Sequence, residues 1–441
     1  MKDSIVQVFI ALLISCSIFC SCSGKQEDKI SPNIILILAD DLGYGDLHSY
    51  GGGIDDTPNL DKMAAEGLVF TDFHSNCPVC SPTRAALMSG QYQQRVGIES
   101  VVHATKFRHT GINPGTFTVA SYAKTEGYKT AIMGKWHIGY DTTYSPLNFG
   151  FDYFRGYVSG NVDYHSHIDG AGYYDWWEQK DTLIEPGYST DLITKSAVRF
   201  IRDNKDAPFF LYVAHEAPHS PYQGRGDDPV RIPGGSPQYQ RPSGDLQKTY
   251  REMIVAMDDG IGAIFQALEE SELMDNTLVF FLSDNGANKT GSNYPFRGYK
   301  SSLWEGGHRV PAMAFWQERI EPGNSDELLL GMDLFPTIVA LTGGEAPPDI
   351  KLDGVDFSPV LFNHETMGER TAFWRFNGAR SIRKGPWKLL VMKDSTYLFN
   401  LADDLSEKVN IIEQNKGVSE SLLQLLHEWE DEMNTYTLNT Y

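Results

Sequence analysis

The chain reads as an α/β protein with a large, mostly parallel central sheet flanked by helices, followed by a smaller C-terminal α+β subdomain with an antiparallel sheet. Three observations carry that expectation. Short β-branched, apolar runs alternate with amphipathic helical stretches. The runs are apolar throughout, as strands covered on both faces are. Four of them end in clusters of polar residues, where open α/β sheets bind their ligands.

The chain begins with Met1-Lys2-Asp3-Ser4 and an apolar run from Ile5 to about Phe19, too short for a comfortable membrane span and suited to an export signal. Cys16, Cys20 and Cys22 close this run. Cys22 leads into the polar stretch Ser23–Lys29 and is the favoured lipidated residue of a sequence resembling a bacterial lipoprotein processing site. Cys16, preceded by Leu13-Ile14-Ser15, fits about as well, and a plain cleaved secretory signal is the alternative. The expected divisions are a signal or lipoprotein peptide over 1–22, a polar tether over 23–31, a catalytic domain over 32–348 and a C-terminal subdomain over 349–441. Export places the protein in the periplasm or on the outer membrane and cell surface.

With 441 residues, 41% of them hydrophobic, the chain can bury a large core. Its net charge of −21 excludes nucleic acid as a general partner and requires a local positive pocket to capture any anionic substrate. Only Cys77 and Cys80 lie beyond the leader, so the folded part has no disulfide framework and rests on its core.

Asn33–Leu38 ends in Ala39-Asp40-Asp41, and Thr277–Leu282 ends in Ser283-Asp284-Asn285-Gly286. Lys129–Met133 ends in Gly134-Lys135-Trp136-His137, and Phe209–Ala214 ends in His215-Glu216-Ala217-Pro218-His219. Two ends thus carry carboxylates and an amide, and two carry lysine and histidine. Singly, Asp-Asp is a turn or cap and a lone histidine is structural; four coincident strand ends read as an oxygen-rich metal half beside a cationic, acid–base half.

Between them lies Cys80-Ser81-Pro82-Thr83-Arg84, followed by the small, helix-favouring run Ala85–Gly90. Cys77 and Cys80 also form a C-x-x-C pair, but no second pair exists to complete a zinc site and nothing else supports a thioredoxin-like domain.

The C-x-P-x-R segment, Asp40-Asp41, the Gly-Lys-Trp-His block, the His-x-Pro block, Ser-Asp-Asn-Gly, and Lys300 followed by Trp304–Pro311 appear in the order seen in the type I sulfatases of the alkaline phosphatase superfamily. The chain resembles that family over residues 32 to about 345. One departure is Thr83, where the motif more often has serine. The resemblance implies that Cys80 is oxidised to formylglycine by a maturation enzyme. It implies that Asp40, Asp41, Asp284 and Asn285, with an oxygen of residue 80, hold one divalent cation, calcium in preference to magnesium. A hydroxyl of the formylglycine hydrate would attack sulfur. His137 would take the proton that lets sulfate leave, Arg84 would fix the hydrate, Lys135 and Lys300 would bind sulfate oxygens, and His219 would serve the leaving alcohol. His215 is either a supporting residue or structural.

Beyond Gly343-Gly344 and Pro347-Pro348, Arg380–Arg383, Trp387–Val391 and Tyr397–Phe399 read as short antiparallel strands, and Leu422, Leu423, Leu425, Leu426 and Trp429 mark a terminal amphipathic helix. Asp163–Trp177, rich in aromatics and histidines, reads either as a sugar-stacking loop or as core. His165 and His167 are its candidate substrate contacts, with His103, Arg375 and Asn377 as weaker ones. The expected substrate is a sulfated glycan of glycosaminoglycan, mucin or algal type. The rival readings are a formylglycine-dependent phosphonate or phosphodiester hydrolase and an inactive glycan-binding lipoprotein.

Overall fold

The apolar runs lie side by side in the middle of one ten-stranded sheet in the computed structural model, which describes residues 31–54, 56–235 and 244–440. The readings of leader, tether and lipidation at Cys16, Cys20 or Cys22 fall on residues 1–30, outside the described part. In chain order the strands are β1 (Asn33–Ala39), β2 (Leu68–Phe70), β3 (Phe73–His74), β4 (Lys129–Lys135), β5 (Tyr153–Tyr157), β6 (Trp177–Glu178), β7 (Asp181–Thr182) and β8 (Phe209–Ala214). They continue as β9 (Thr277–Ser283), β10 (Ala312–Phe315), β11 (Gly323–Ser325) and β12 (Leu329–Leu330). The helices against them are α1 (Pro58–Glu66), α2 (Cys80–Ser89), α3 (Val119–Thr125), α4 (Ser189–Asp203), α5 (Leu246–Glu270), α6 (Glu305–His308), α7 (Leu334–Thr342) and α8 (Ser358–Asn363).

The large sheet runs β11-β2-β10-β9-β1-β8-β4-β5-β6-β7. Its middle five, β9 to β5, are all parallel, whereas β10, β6 and β7 pair antiparallel. The parallel centre is as expected; the sheet becomes mixed towards its edges, where strands of two to four residues are too short to show a pattern. Alternation along β1 divides the core into two layers. Ile34, Leu36 and Leu38 face α2, α3 and α7. Ile35, Ile37 and Ala39 face α1, α4 and α5. Both faces are covered, which is why these strands are apolar at every position.

β4 and β8 approach so closely that a Cβ on Gly134 (φ +105°) would lie 2.0 Å from the Ala214 carbonyl oxygen. Only glycine fits there, and it delivers Lys135 to the strand end.

Four antiparallel strands, β13 (Thr371–Phe376), β14 (Ala379–Lys384), β15 (Trp387–Met392) and β16 (Ser395–Asn400), make the separate C-terminal sheet. α9 (Lys416–Met433) lays Leu422, Leu426, Trp429 and Met433 into a third core with Trp374, Ile382, Leu389 and Leu398. The same core holds Cys77, Val79 and Ala86, so this sheet buttresses the start of α2. Phe357, Val360 and Leu361 of the intervening segment belong to the first core.

Candidate active site

Because β1 and β9 are parallel neighbours in register, Ala39 opposite Ser283, their ends place Asp40-Asp41 beside Asp284-Asn285. On the other side of β1, β8 and β4 end in His215–His219 and in Lys135–His137. α2 begins at Cys80 after an extended Val79, and all ten of its residues are buried. Pro82 sits in the first turn, where no intrahelical N–H is missed. The Thr83 hydroxyl donates to the Cys77 carbonyl at 2.7 Å, so the departure from serine retains a bond that fixes this turn.

The charges interlock. Lys135 Nζ lies 2.5 Å from Asp40 Oδ2. Lys300 Nζ lies 2.6 Å from Asp41 Oδ1 and 3.5 Å from Cys80 Sγ. Asn285 Nδ2 donates to Asp41 Oδ1 at 2.7 Å, and the Asp41 N–H donates to Asp284 Oδ1. Arg84 donates to Asp284 Oδ2 from Nη2 at 2.9 Å and from Nε at 3.2 Å, and Nη1 reaches the Lys135 carbonyl. Arg84 thus clamps two strand ends together. Asp41 has a φ of +66°, a left-handed conformation that costs a non-glycine residue energy and that clusters at functional sites.

Burial raises the Asp284 carboxyl to about 6, with Asp40 adding to the rise and Arg84 and Lys135 opposing it. Burial also favours the neutral forms of Asp41 and Cys80, but cations outweigh it. Lys300 and His219 hold Asp41 low, and Lys135 and Lys300 bring the Cys80 thiol down to about 6. Burial and the cations Lys135 and Arg84 push His137 well below its usual value, so it is neutral. Its Nε2–H donates to the Val102 carbonyl at 3.2 Å, leaving Nδ1 buried without a partner. His219 donates Nδ1–H to the Ser220 carbonyl at 2.5 Å and turns Nε2 towards Asp41 Oδ2, 3.7 Å away. Its pKa is raised: burial and Lys300 oppose the charge, but Asp40 and Asp41 prevail.

Two oxygens in this cluster, Asp40 Oδ1 and Asn285 Oδ1, are buried with no hydrogen-bond donor. Such orphans are costly. Ligand atoms of Asp40, Asp41, Cys80 and His219 all lie within 4.8 Å of one another. Carboxylate and amide oxygens left without donors fit a hard divalent cation.

A second group with metal-ligand residue types, His74, Glu305 and His308, is already filled. Lys388 Nζ sits 2.8 Å from both Glu305 and Glu407 and 3.3 Å from His308 Nε2. The chain continues through His308 Nδ1 to His74 Nδ1 (2.9 Å) and His74 Nε2 to Asp72 (2.8 Å). Asp72, Glu305 and Glu407 balance Arg309, Arg383 and Lys388, with both histidines held neutral chiefly by burial. This network joins the C-terminal sheet to α6, whose backbone bonds Gly286 and Ser75 on either side of the site.

The structure brings together Asp40, Asp41, Cys80, Arg84, Lys135, His137, His219, Asp284, Asn285 and Lys300. It places the substrate candidates less uniformly. His103 is exposed, one residue past the Val102 that holds His137. His165 is half-buried with Nε2 on the Gly224 carbonyl. His167 is fully buried, stacked on Trp176 at 4.5 Å and bonded to Gly187. Arg375 pairs with Glu99 and Asn434, towards α9 and away from the strand ends. Asn377 is at the exposed β13–β14 turn. Both ring nitrogens of His215 are buried without partners, and burial lowers its pKa to about 4, so the ring is neutral.

Three residues escaped the sequence reading. The Val102 carbonyl and Gly160 position His137; a Cβ on Gly160 would lie 2.7 Å from its Nε2. Glu216, fully buried with burial raising it to about 8, accepts from the Val162 N–H and from Ser189. Its place inside the His215–His219 block was the available signal.

A mixed sheet whose parallel strand ends surround a cysteine-headed helix, with paired lysines and carboxylates, defines an alkaline phosphatase-like hydrolase. The sulfatase family model matches residues 32–344, and the chain belongs to this family of sulfuric ester hydrolases. It is 35% identical over 383 residues to N-acetylgalactosamine-6-sulfatase of Mus musculus, covering 81% of this chain and 71% of the relative. It is 36% identical over 406 residues to mouse arylsulfatase G, covering 81% and 74%. Among solved structures, Ps i-CgsB in complex with k-i-k-neocarrahexaose superposes with a TM-score of 0.81 at 29% identity, over 90% of this chain and 92% of that one. The phosphonate monoester hydrolase of Agrobacterium radiobacter shares the fold at a TM-score of 0.66 and 21% identity, over 91% and 96%.

Proposed function

We propose that this sulfatase hydrolyses a sulfate ester of a carbohydrate, with residue 80, matured from cysteine to formylglycine, as its nucleophile. The observation that carries the reading is the meeting of Cys80 with Lys135, Lys300 and two donor-less oxygens at the ends of β1 and β9. The formylglycine hydrate supplies two hydroxyls on one carbon, one to attack sulfur and one whose deprotonation restores the aldehyde. Asp40, Asp41, Asp284 and Asn285, with an oxygen of residue 80, would hold Ca2+, which offsets their charge and polarises the sulfate.

Lys135 and Lys300 are compact cations at the reacting centre and bind sulfate oxygens. His137 is the base: neutral, with Nε2–H fixed by Val102 and the Nδ1 lone pair unused. His219, with Nδ1 anchored on Ser220 and Nε2 turned into the cluster, is the donor to the leaving alcohol from Nε2. Arg84 acts by holding Asp284 and the Lys135 backbone in place. The names of the relatives and the carbohydrate in the Ps i-CgsB complex support a sulfated glycan. The apolar leader supports export.

The test is sulfate release from a panel of sulfated saccharides, beside aryl sulfate and aryl phosphate, by protein co-expressed with a formylglycine-generating enzyme. Sulfatase turnover should dominate, intact mass should show the thiol-to-aldehyde change at Cys80, and Cys80→Ala should be inactive. Dominant turnover of the aryl phosphate, or of an aryl phosphonate monoester added to the panel, would favour the rival hydrolase.

A further inference from the structure

The wall of the site on the His137 side leads outward to one arginine. The His137 ring packs against Gly160, and the Gly160 N–H donates to Tyr140 Oη at 3.2 Å. The Arg108 guanidinium lies over the Tyr140 ring at 5.2 Å and over the Tyr173 ring at 4.2 Å. Asp169, fully buried, holds both members of the outer pair: Oδ2 accepts from Arg108 Nη1 at 3.0 Å and Oδ1 from the Tyr173 N–H at 2.8 Å.

Arg108 is therefore fixed in direction by two rings and a carboxylate, yet its side chain is 29% exposed. Nη1 makes both of its hydrogen bonds, to Asp169 and, at 3.4 Å, to the Ala104 carbonyl. The Nε–Nη2 edge has no acceptor among the described residues. That edge is the fork that binds a carboxylate or sulfate through two parallel bonds. Tyr173 is 57% exposed and offers its second face to solvent beside it. In a chain of net charge −21, a rigid guanidinium with its fork unused marks where a second anion is received.

We propose that Arg108, with Tyr173, forms a second oxyanion subsite, which takes a carboxylate or a further sulfate on the sugar adjoining the one being desulfated. This rests on the glycan sulfatase reading and narrows it to polyanionic glycans.

The test uses three disaccharides that share the scissile sulfate and differ in the neighbouring sugar, which carries no anion, a carboxylate or a sulfate. One net hydrogen bond to a charged group amounts to about tenfold to a hundredfold, and at a part-exposed fork the pair is worth no more than that, so wild-type kcat/KM should favour one or both doubly anionic substrates by that factor. Arg108→Gln should bring the ratio to within about threefold of unity, with Arg108→Lys between. Tyr173→Ala leaves the Arg108–Asp169 pair intact, since Asp169 accepts from the Tyr173 backbone, and should lower the ratio severalfold. Calorimetric binding of the same disaccharides to Cys80→Ala should show the same preference without turnover. Equal values for all three substrates, or a preference that survives in Arg108→Gln, would overturn the subsite. Absence of sulfate release from every saccharide would sink the glycan sulfatase reading instead, and the binding measurement would still decide the subsite.

Discussion

Replacing Gly160 by alanine isolates the positioning of His137. The new methyl would lie 2.7 Å from Nε2 and 2.8 Å from Cε1 of that ring, against an ordinary contact distance of 3.4 Å or more. The ring must withdraw by the difference, 0.7 Å, and Nε2 is the atom held by the Val102 carbonyl at 3.2 Å. A displacement approaching 1 Å at a catalytic group costs up to about 10²-fold, so kcat/KM on an aryl sulfate should fall about tenfold to a hundredfold. Gly160 has no positive φ, so its backbone accepts alanine, and the cost in stability should be that of overpacking one methyl, about 1–3 kcal/mol. The assay pairs initial rates of sulfate release with thermal unfolding, using Gly53→Ala as control because a methyl there meets nothing within 4 Å. A folded Gly160→Ala enzyme with parental kcat/KM would refute the role given to His137.

Two further outcomes are expected. The raised pKa of Glu216, about 8, means that the folded state keeps a proton that the unfolded chain loses above about 4.5. Its contribution to stability is full below the unfolded value and is lost as pH rises through 8, with a slope of up to about 1.4 kcal/mol per pH unit. Glu216→Gln keeps the acceptor for Val162 and lacks this loss, so it should gain on the parent in melting temperature between pH 5 and 8; a pH-independent difference would count against the assignment. Lys388→Met leaves Glu407 buried without its cation, while Glu305 keeps Arg309 and Arg383, and should cost about 3 kcal/mol in denaturant unfolding. A loss under about 1 kcal/mol would show that the network is not a stabilising brace.

The residues legible in the sequence share one property: each stands at the end of an apolar run or inside a fixed local string. Asp40, Asp284, Lys135 and His219 announce themselves because a parallel strand has to end at the ligand side. What was hidden depends on contacts across large sequence separations. No spacing shows that Arg84 grips Asp284 two hundred residues on, that Gly160 abuts His137, or that Lys388 closes a chain begun at Asp72. The histidines of the 163–177 loop are instructive in the opposite sense. Composition alone cannot separate His165, half-buried beside Gly224, from His167, stacked in the core on Trp176. The strands towards the sheet edges were missed because runs of two to four residues carry no periodicity.

The burial of every residue of α2 sets an order of events in the life of the chain. Cys80 is 2% exposed, and Arg84 and the flanking Ser81 and Thr83 are not exposed at all. If residue 80 is matured as proposed, an oxidising enzyme would have no access to it once the fold has closed and would have to act on the unfolded polypeptide. The central pairing of β1 with β9 joins residues some 240 positions apart, and contacts of such separation form late. The same long-range topology that builds the site therefore leaves a window, before it closes, in which the proposed maturation would take place.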